Sequence, residues 1–159
     1  MPRASPLNYG VAGTWASLAE RVVVDASALL PLVLPDTPDR INYAVAVVER
    51  VAGGALDLVI PQICHLELAA VIARKVRGGA LQHSVAQDFF EQLDGLGFEQ
   101  FVETFRYSEF YGRAMALNCQ VADAVYVTLA AQLGLALATL DGGMRQAARQ
   151  AGVQVYVLR

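Results

Sequence analysis

The chain has 159 residues, of which 55% are hydrophobic and 17% charged, with a formal net charge of -3. That length suits one compact domain with a core large enough to need no disulfide staples, and the apolar fraction excludes a disordered tail. The acidic balance argues against generic adhesion to nucleic acid, which rests on lysine and arginine neutralising phosphates, although it leaves room for a local basic patch.

Met1 to Glu20 reads as an N-terminal extension holding Trp15, the single tryptophan. Pro6, Asn8, Gly10 and Gly13 break it, so it lacks the continuous apolar stretch of a secretory signal, and a cytoplasmic location is expected. From Arg21 to Arg159, short β-branched runs alternate with longer stretches of helical period, the pattern of an α/β domain with a mostly parallel sheet. The expected strands are Val22 to Val24, Leu58 to Ile60, Phe98 to Val102, Leu135 to Thr139 and Val153 to Leu158. Between them the expected helices cover Pro38 to Val51, Ile63 to Arg77, Gln82 to Leu93, Ser108 to Leu117, Val121 to Leu133 and Met144 to Ala151. Gly53-Gly54, Gly78-Gly79, Gly134 and Gly152 stand where helices end in left-handed geometry. The longest mostly apolar run, Leu129 to Leu140, falls far short of the ~20 residues that cross a bilayer, so no membrane association is expected. Cys64 and Cys119 lie in or beside apolar segments and read as small buried hydrophobes rather than a disulfide or zinc framework.

In an open parallel sheet, ligands bind outside the carboxyl ends of the strands. Asp25 directly follows Val22-Val23-Val24, and Asp141 closes Ala138-Thr139-Leu140-Asp141. Each has an ordinary explanation as a helix cap or turn residue. Glu67 lies in an otherwise apolar helical run, with Arg74 two turns away and about 10 Å along the axis, too far to neutralise it. Asp123 occupies the first turn of another apolar helix, where an acid interacts favourably with the helix N-terminus. One arrangement accounts for all four, with carboxylates from two strand ends and two helices converging at one edge of the sheet. At ~4 Å and an effective dielectric of 20, each carboxylate pair repels by about 4 kcal/mol, so such a cluster calls for a divalent cation. Oxygen-only ligands select Mg²⁺ or Mn²⁺.

These segments, Val22-Val23-Val24-Asp25-Ala26-Ser27-Ala28, Glu67 in its apolar helix, Asp123-Ala124-Val125-Tyr126 and Ala138-Thr139-Leu140-Asp141, resemble a PIN domain. More narrowly they look like a VapC-type toxin of a toxin–antitoxin pair, over nearly the whole chain from Arg21. The resemblance implies a three-layer α/β/α sandwich around a mostly parallel sheet and metal-dependent cleavage of RNA. It assigns Asp25, Glu67, Asp123 and Asp141 to the metal site, with Thr139 beside the last aspartate and Ser27 a weaker candidate of the same kind. It also implies a cognate antitoxin that obstructs the site, and a homodimer.

Candidate RNA contacts are Arg74, Lys75 and Arg77 after Glu67, with Arg145 and Arg149 after Asp141, although solvated surface charge explains them equally well. The stretch rich in aromatics from Phe89 to Tyr111 suits core packing for most of its members. Two other readings compete with a nuclease: a receiver-like Mg²⁺-binding signalling module, and a PIN fold kept only for binding protein. The first wants a lysine near a strand end, and Lys75 is the one lysine in the chain. A dehalogenase-type phosphatase is weaker, because Asp25-Ala26-Ser27 lacks the second aspartate that serves as acid and base.

Overall fold

The structure is a computed structural model and describes residues 18–102 and 106–158. Trp15 and most of the expected N-terminal extension lie outside the described residues. In chain order the elements are β1 (Glu20–Val24), two 3-10 turns (Ala26–Ala28 and Leu30–Leu32), α1 (Pro38–Ala52), β2 (Leu56–Pro61), α2 (Gln62–Arg77), α3 (His83–Gly95), β3 (Glu99–Phe101), α4 (Tyr107–Leu117), α5 (Val121–Leu133), β4 (Ala136–Ala138) and α6 (Gly142–Gln150).

The strands form one parallel sheet in the order β3-β2-β1-β4. Val22, Val23 and Val24 of β1 are fully buried between layers, as their unbroken run of β-branched residues requires. With this strand order, the right-handed rule for parallel crossovers assigns α1, α2 and α3 to one face and α4, α5 and α6 to the other. The packing of α2 on α3, and of α4 and α6 on α5, agrees with this arrangement. The result is the expected layered α/β fold with helices flanking a parallel sheet.

The helix ends follow local chemistry. Pro38 opens α1 at a position where a missing N–H costs nothing, and Asp141 caps α6 by accepting from the Met144 N–H at 2.7 Å. The chain leaves α5 through Gly134, whose φ of 65° lies in the left-handed region. Among the described residues no single helix is long and apolar enough to cross a membrane.

The expected last strand, Val153 to Leu158, is a correction. It makes only an isolated parallel bridge, Leu137 to Val155, through Leu137 N–H to Gln154 O at 2.8 Å and Tyr156 N–H to Leu137 O at 2.9 Å. The reason lies in β4, which is three residues long because the chain turns away after Ala138, leaving no ladder for a longer partner to follow. β3 is likewise shorter than its sequence pattern suggests.

The strand order reverses beside β1. β2 and β3 succeed it on one side, while β4 returns to the other. That reversal opens a crevice at the carboxyl ends of β1 and β4. Helix α2 follows β2 directly, and Asp123 in the first turn of α5 lines one groove with Asp141, the cap of α6, so these helix starts gather at this edge.

Candidate active site

Asp25 stands at the carboxyl end of β1, where its N–H still donates to Ala138 O at 3.1 Å and so extends the ladder to β4 by one bond. Its side chain is 2% exposed. Oδ1 accepts from the Ser27 hydroxyl at 2.6 Å and from the Ala28 N–H at 3.1 Å, and Oδ2 accepts from the Thr139 hydroxyl at 2.7 Å. Burial pushes the carboxyl up to about 6, against the opposing pull of these three donors, and Glu67 adds to the rise. Asp25 therefore caps the first 3-10 turn, its ordinary role, with its carboxylate buried at the end of β1.

Thr139 is fully buried. Its hydroxyl donates to Asp25 and accepts from the Asp141 N–H at 3.1 Å, and so ties the two strand ends together. Ser27 reinforces the tie by accepting from the Leu140 N–H at 2.9 Å. Asp141 is exposed, at the mouth of the site. Two arginines clamp the same turn through its carbonyls. Arg145 Nε donates to Thr139 O at 3.0 Å, and Arg40 donates to Leu140 O at 3.3 Å while also pairing with Asp36. Arg40 carried no sequence signal, because its role depends on a contact across 100 positions of chain.

Glu67 reaches the edge from α2 and Asp123 from the first turn of α5, both half-buried. The Tyr126 hydroxyl donates to Glu67 Oε2. Burial raises the Asp123 carboxyl above its ordinary range, and the negative fields of Asp141 and Glu67 raise it further. Asp25 thus feels Glu67, and Asp123 feels both Glu67 and Asp141, so the four acids form one continuous electrostatic neighbourhood. Burial likewise holds the Tyr126 phenol far above its usual value and pushes the Cys64 thiol up to about 12. Both cysteines are free, and Cys119 is also raised, first by burial and then by Asp123.

As the side chains stand, no three His, Cys, Asp or Glu groups among the described residues are placed together to hold a metal ion. The donor chemistry nonetheless fits a hard divalent cation. All four groups are carboxylates, the described residues pair none of them with lysine or arginine, and two, Asp25 and Asp123, are held above their usual range first by burial and then by the charges of Glu67 and, for Asp123, Asp141. Beside Asp123 and Asp141 lies a polar groove of about 540 Å³, which Asn118, Gln120 and Gln146 also line.

The expected basic residues divide. Arg145 is half-buried and holds the β4–α6 turn. Arg74, Lys75 and Arg77 are exposed on the last turn of α2, away from the edge where that helix begins.

Comparison with known proteins identifies the family and supports the fold. The family model described as "PIN domain" matches residues 22–150. Ribonuclease VapC3 of Pyrobaculum aerophilum is 32% identical over 125 residues, covering 76% of this chain and 89% of that protein. The crystal structure of PAE2754 from the same organism superposes with a TM-score of 0.63 at 20% identity, covering 94% of this chain and 93% of that one. A chain that carries acids at these strand ends and helix turns, and that matches the family along most of its length, belongs to the PIN-domain family.

Proposed function

We propose that this protein is a Mg²⁺- or Mn²⁺-dependent ribonuclease that hydrolyses RNA phosphodiester bonds as the toxin of a toxin–antitoxin pair. The observation that carries the reading is the acidic edge itself. Four carboxylates from β1, α2, α5 and the turn after β4 share one field at the switch point of a PIN sheet, in a chain similar to a protein named as a ribonuclease.

Asp25, Glu67, Asp123 and Asp141 would hold the cation. When bound, it lowers the pKa of a water and stabilises negative charge on a phosphate. The protein contributes placement. Ser27, Thr139 and the Ala28 N–H fix Asp25, and the Thr139 hydroxyl joins it to the Asp141 backbone. A covalent route through Cys119 is disfavoured because burial and Asp123 hold its thiol protonated. The amides of Asn118, Gln120 and Gln146 can both donate to and accept from a nucleotide in the groove, and Arg74, Lys75 and Arg77 supply more distant phosphate contacts.

The antitoxin partner would cover the acidic edge. A second copy of the chain would cover the exposed stripe Tyr107, Tyr111 and Met115, spaced four residues apart along one side of α4. As a toxin acting on the cell's own RNA, the protein would work in the cytoplasm.

Purified protein should cleave single-stranded RNA with Mg²⁺ or Mn²⁺ and stop on addition of EDTA. Asp25→Asn and Asp141→Asn should abolish cleavage with unchanged circular dichroism, since asparagine also caps helices. Full cleavage by either variant, in material free of host nuclease, refutes the proposal.

A further inference from the structure

Glu67 is the acid whose placement needs most explanation. It is half-buried on an apolar helix, its side chain has three rotatable bonds, and no lysine or arginine among the described residues pairs with it. The hydrogen bond its carboxylate receives among the described residues comes from one atom, the hydroxyl of Tyr126, and lands on Oε2. Tyr126 is 0% exposed and among the largest fully buried side chains of the core, so its ring has no room to swing. Asp123 lies three residues before it on the same face of α5. Cys64, one turn before Glu67 on α2, is also buried and interacts with the Tyr126 hydroxyl.

We propose that Tyr126 is a positioning residue for the cation site, its hydroxyl holding one oxygen of Glu67 so that the other is presented to the aspartates. Helix α5 thereby does two things at that edge. Asp123 is the acid it supplies directly, and through Tyr126 it orients the acid supplied by α2. Core packing alone accounts for an aromatic ring at this position, but a phenylalanine would fill the same space. The hydroxyl is what packing leaves unexplained, and a buried hydroxyl persists where it has a partner. Groups that orient a ligand from behind affect metal affinity by about 10- to 100-fold.

This role rests on the metal-nuclease reading, and the experiment separates the two. Mn²⁺ binding is measured by calorimetry, without RNA, on the full chain and on Asp25→Asn, Glu67→Gln, Tyr126→Phe and the Tyr126→Phe/Glu67→Gln pair. Binding by the unmodified chain, with loss in Asp25→Asn, is expected. Tyr126→Phe should weaken binding about 10- to 100-fold. In the Glu67→Gln background it should change affinity by less than about threefold, because its effect passes through Glu67. In cleavage assays it should raise the Mn²⁺ concentration for half-maximal rate, with the rate recovering at saturation. If Tyr126→Phe does not fold, 4-fluorophenylalanine at position 126, which keeps a polar tip but no donor proton, should give the same weakening. Affinity equal to the unmodified chain, or an equal loss with and without Glu67, overturns the positioning role alone. If the unmodified chain and Asp25→Asn bind Mn²⁺ alike, or neither binds, the nuclease reading falls and the role of Tyr126 falls with it.

Discussion

Asp25 shows how one side chain sets a pH dependence. Its folded-state carboxyl is pushed up to about 6 from an ordinary 3.8, first of all by burial. A group raised in the folded state contributes stability that is complete below about 4 and is lost as pH rises through about 6. In metal-free protein the ionised form at pH 8 therefore costs up to about 3 kcal/mol relative to the protonated one. Asp25→Asn removes the charge and should be the more stable protein at pH 8, with the gap closing near pH 4. Urea melts at the two pH values test this, and an unchanged gap counts against it. Thr139 makes a complementary case. Thr139→Val keeps the volume but withdraws the donor from Asp25 and the acceptor from the Asp141 N–H. The expected loss is about 2 kcal/mol of stability, by thermal melts, together with a fall in cleavage rate.

At the scale of elements, helix starts and stops place the candidate acids. Asp141 begins α6 and Asp123 occupies the first turn of α5, so both acids lie where strands end and helices begin. The far ends of the helices are structural. Gly134 leaves α5 at a φ of 65°, and Asn118 leaves α4 at 49°, the described non-glycine residue with positive φ. Gly134→Ala should cost about 1 kcal/mol in chemical denaturation while leaving cleavage per folded molecule unchanged, since it strains the backbone away from the crevice. The order of helices and strands was legible from period and glycine placement because both are local properties. The final segment was not, because alternation in Val153 to Leu158 says nothing about how short its neighbour β4 is.

For the whole molecule, the acidic edge and the basic end of α2 sit apart on a chain of net charge -3. A divalent cation at the acidic edge should raise the melting temperature of the unmodified protein and leave that of Asp25→Asn unmoved, because ligand that binds only the folded state stabilises it by mass action. If the exposed cluster touches phosphate, reversing Arg74, Lys75 and Arg77 to glutamate should weaken RNA binding. The salt slope should fall by up to about 2, as expected for three single-strand contacts. Fluorescence anisotropy on the Asp25→Asn background measures this without cleavage, and an unchanged slope would assign the cluster to solvated surface.

By itself the sequence determined the order of strands and helices and which acids stand at their ends. The valine run before Asp25, the apolar helix around Glu67 and the spacing from Asp123 to Asp141 are one-dimensional patterns, and they suffice to indicate a parallel sheet with acids at its carboxyl edge. Only the tertiary structure decided how those acids are held. The bonds from Thr139 to Asp25, Tyr126 to Glu67 and Arg40 to Leu140 cross 114, 59 and 100 positions of chain. Such partners are chosen by which strands lie adjacent and which helix turns meet above them, information that exists only once the sheet has formed.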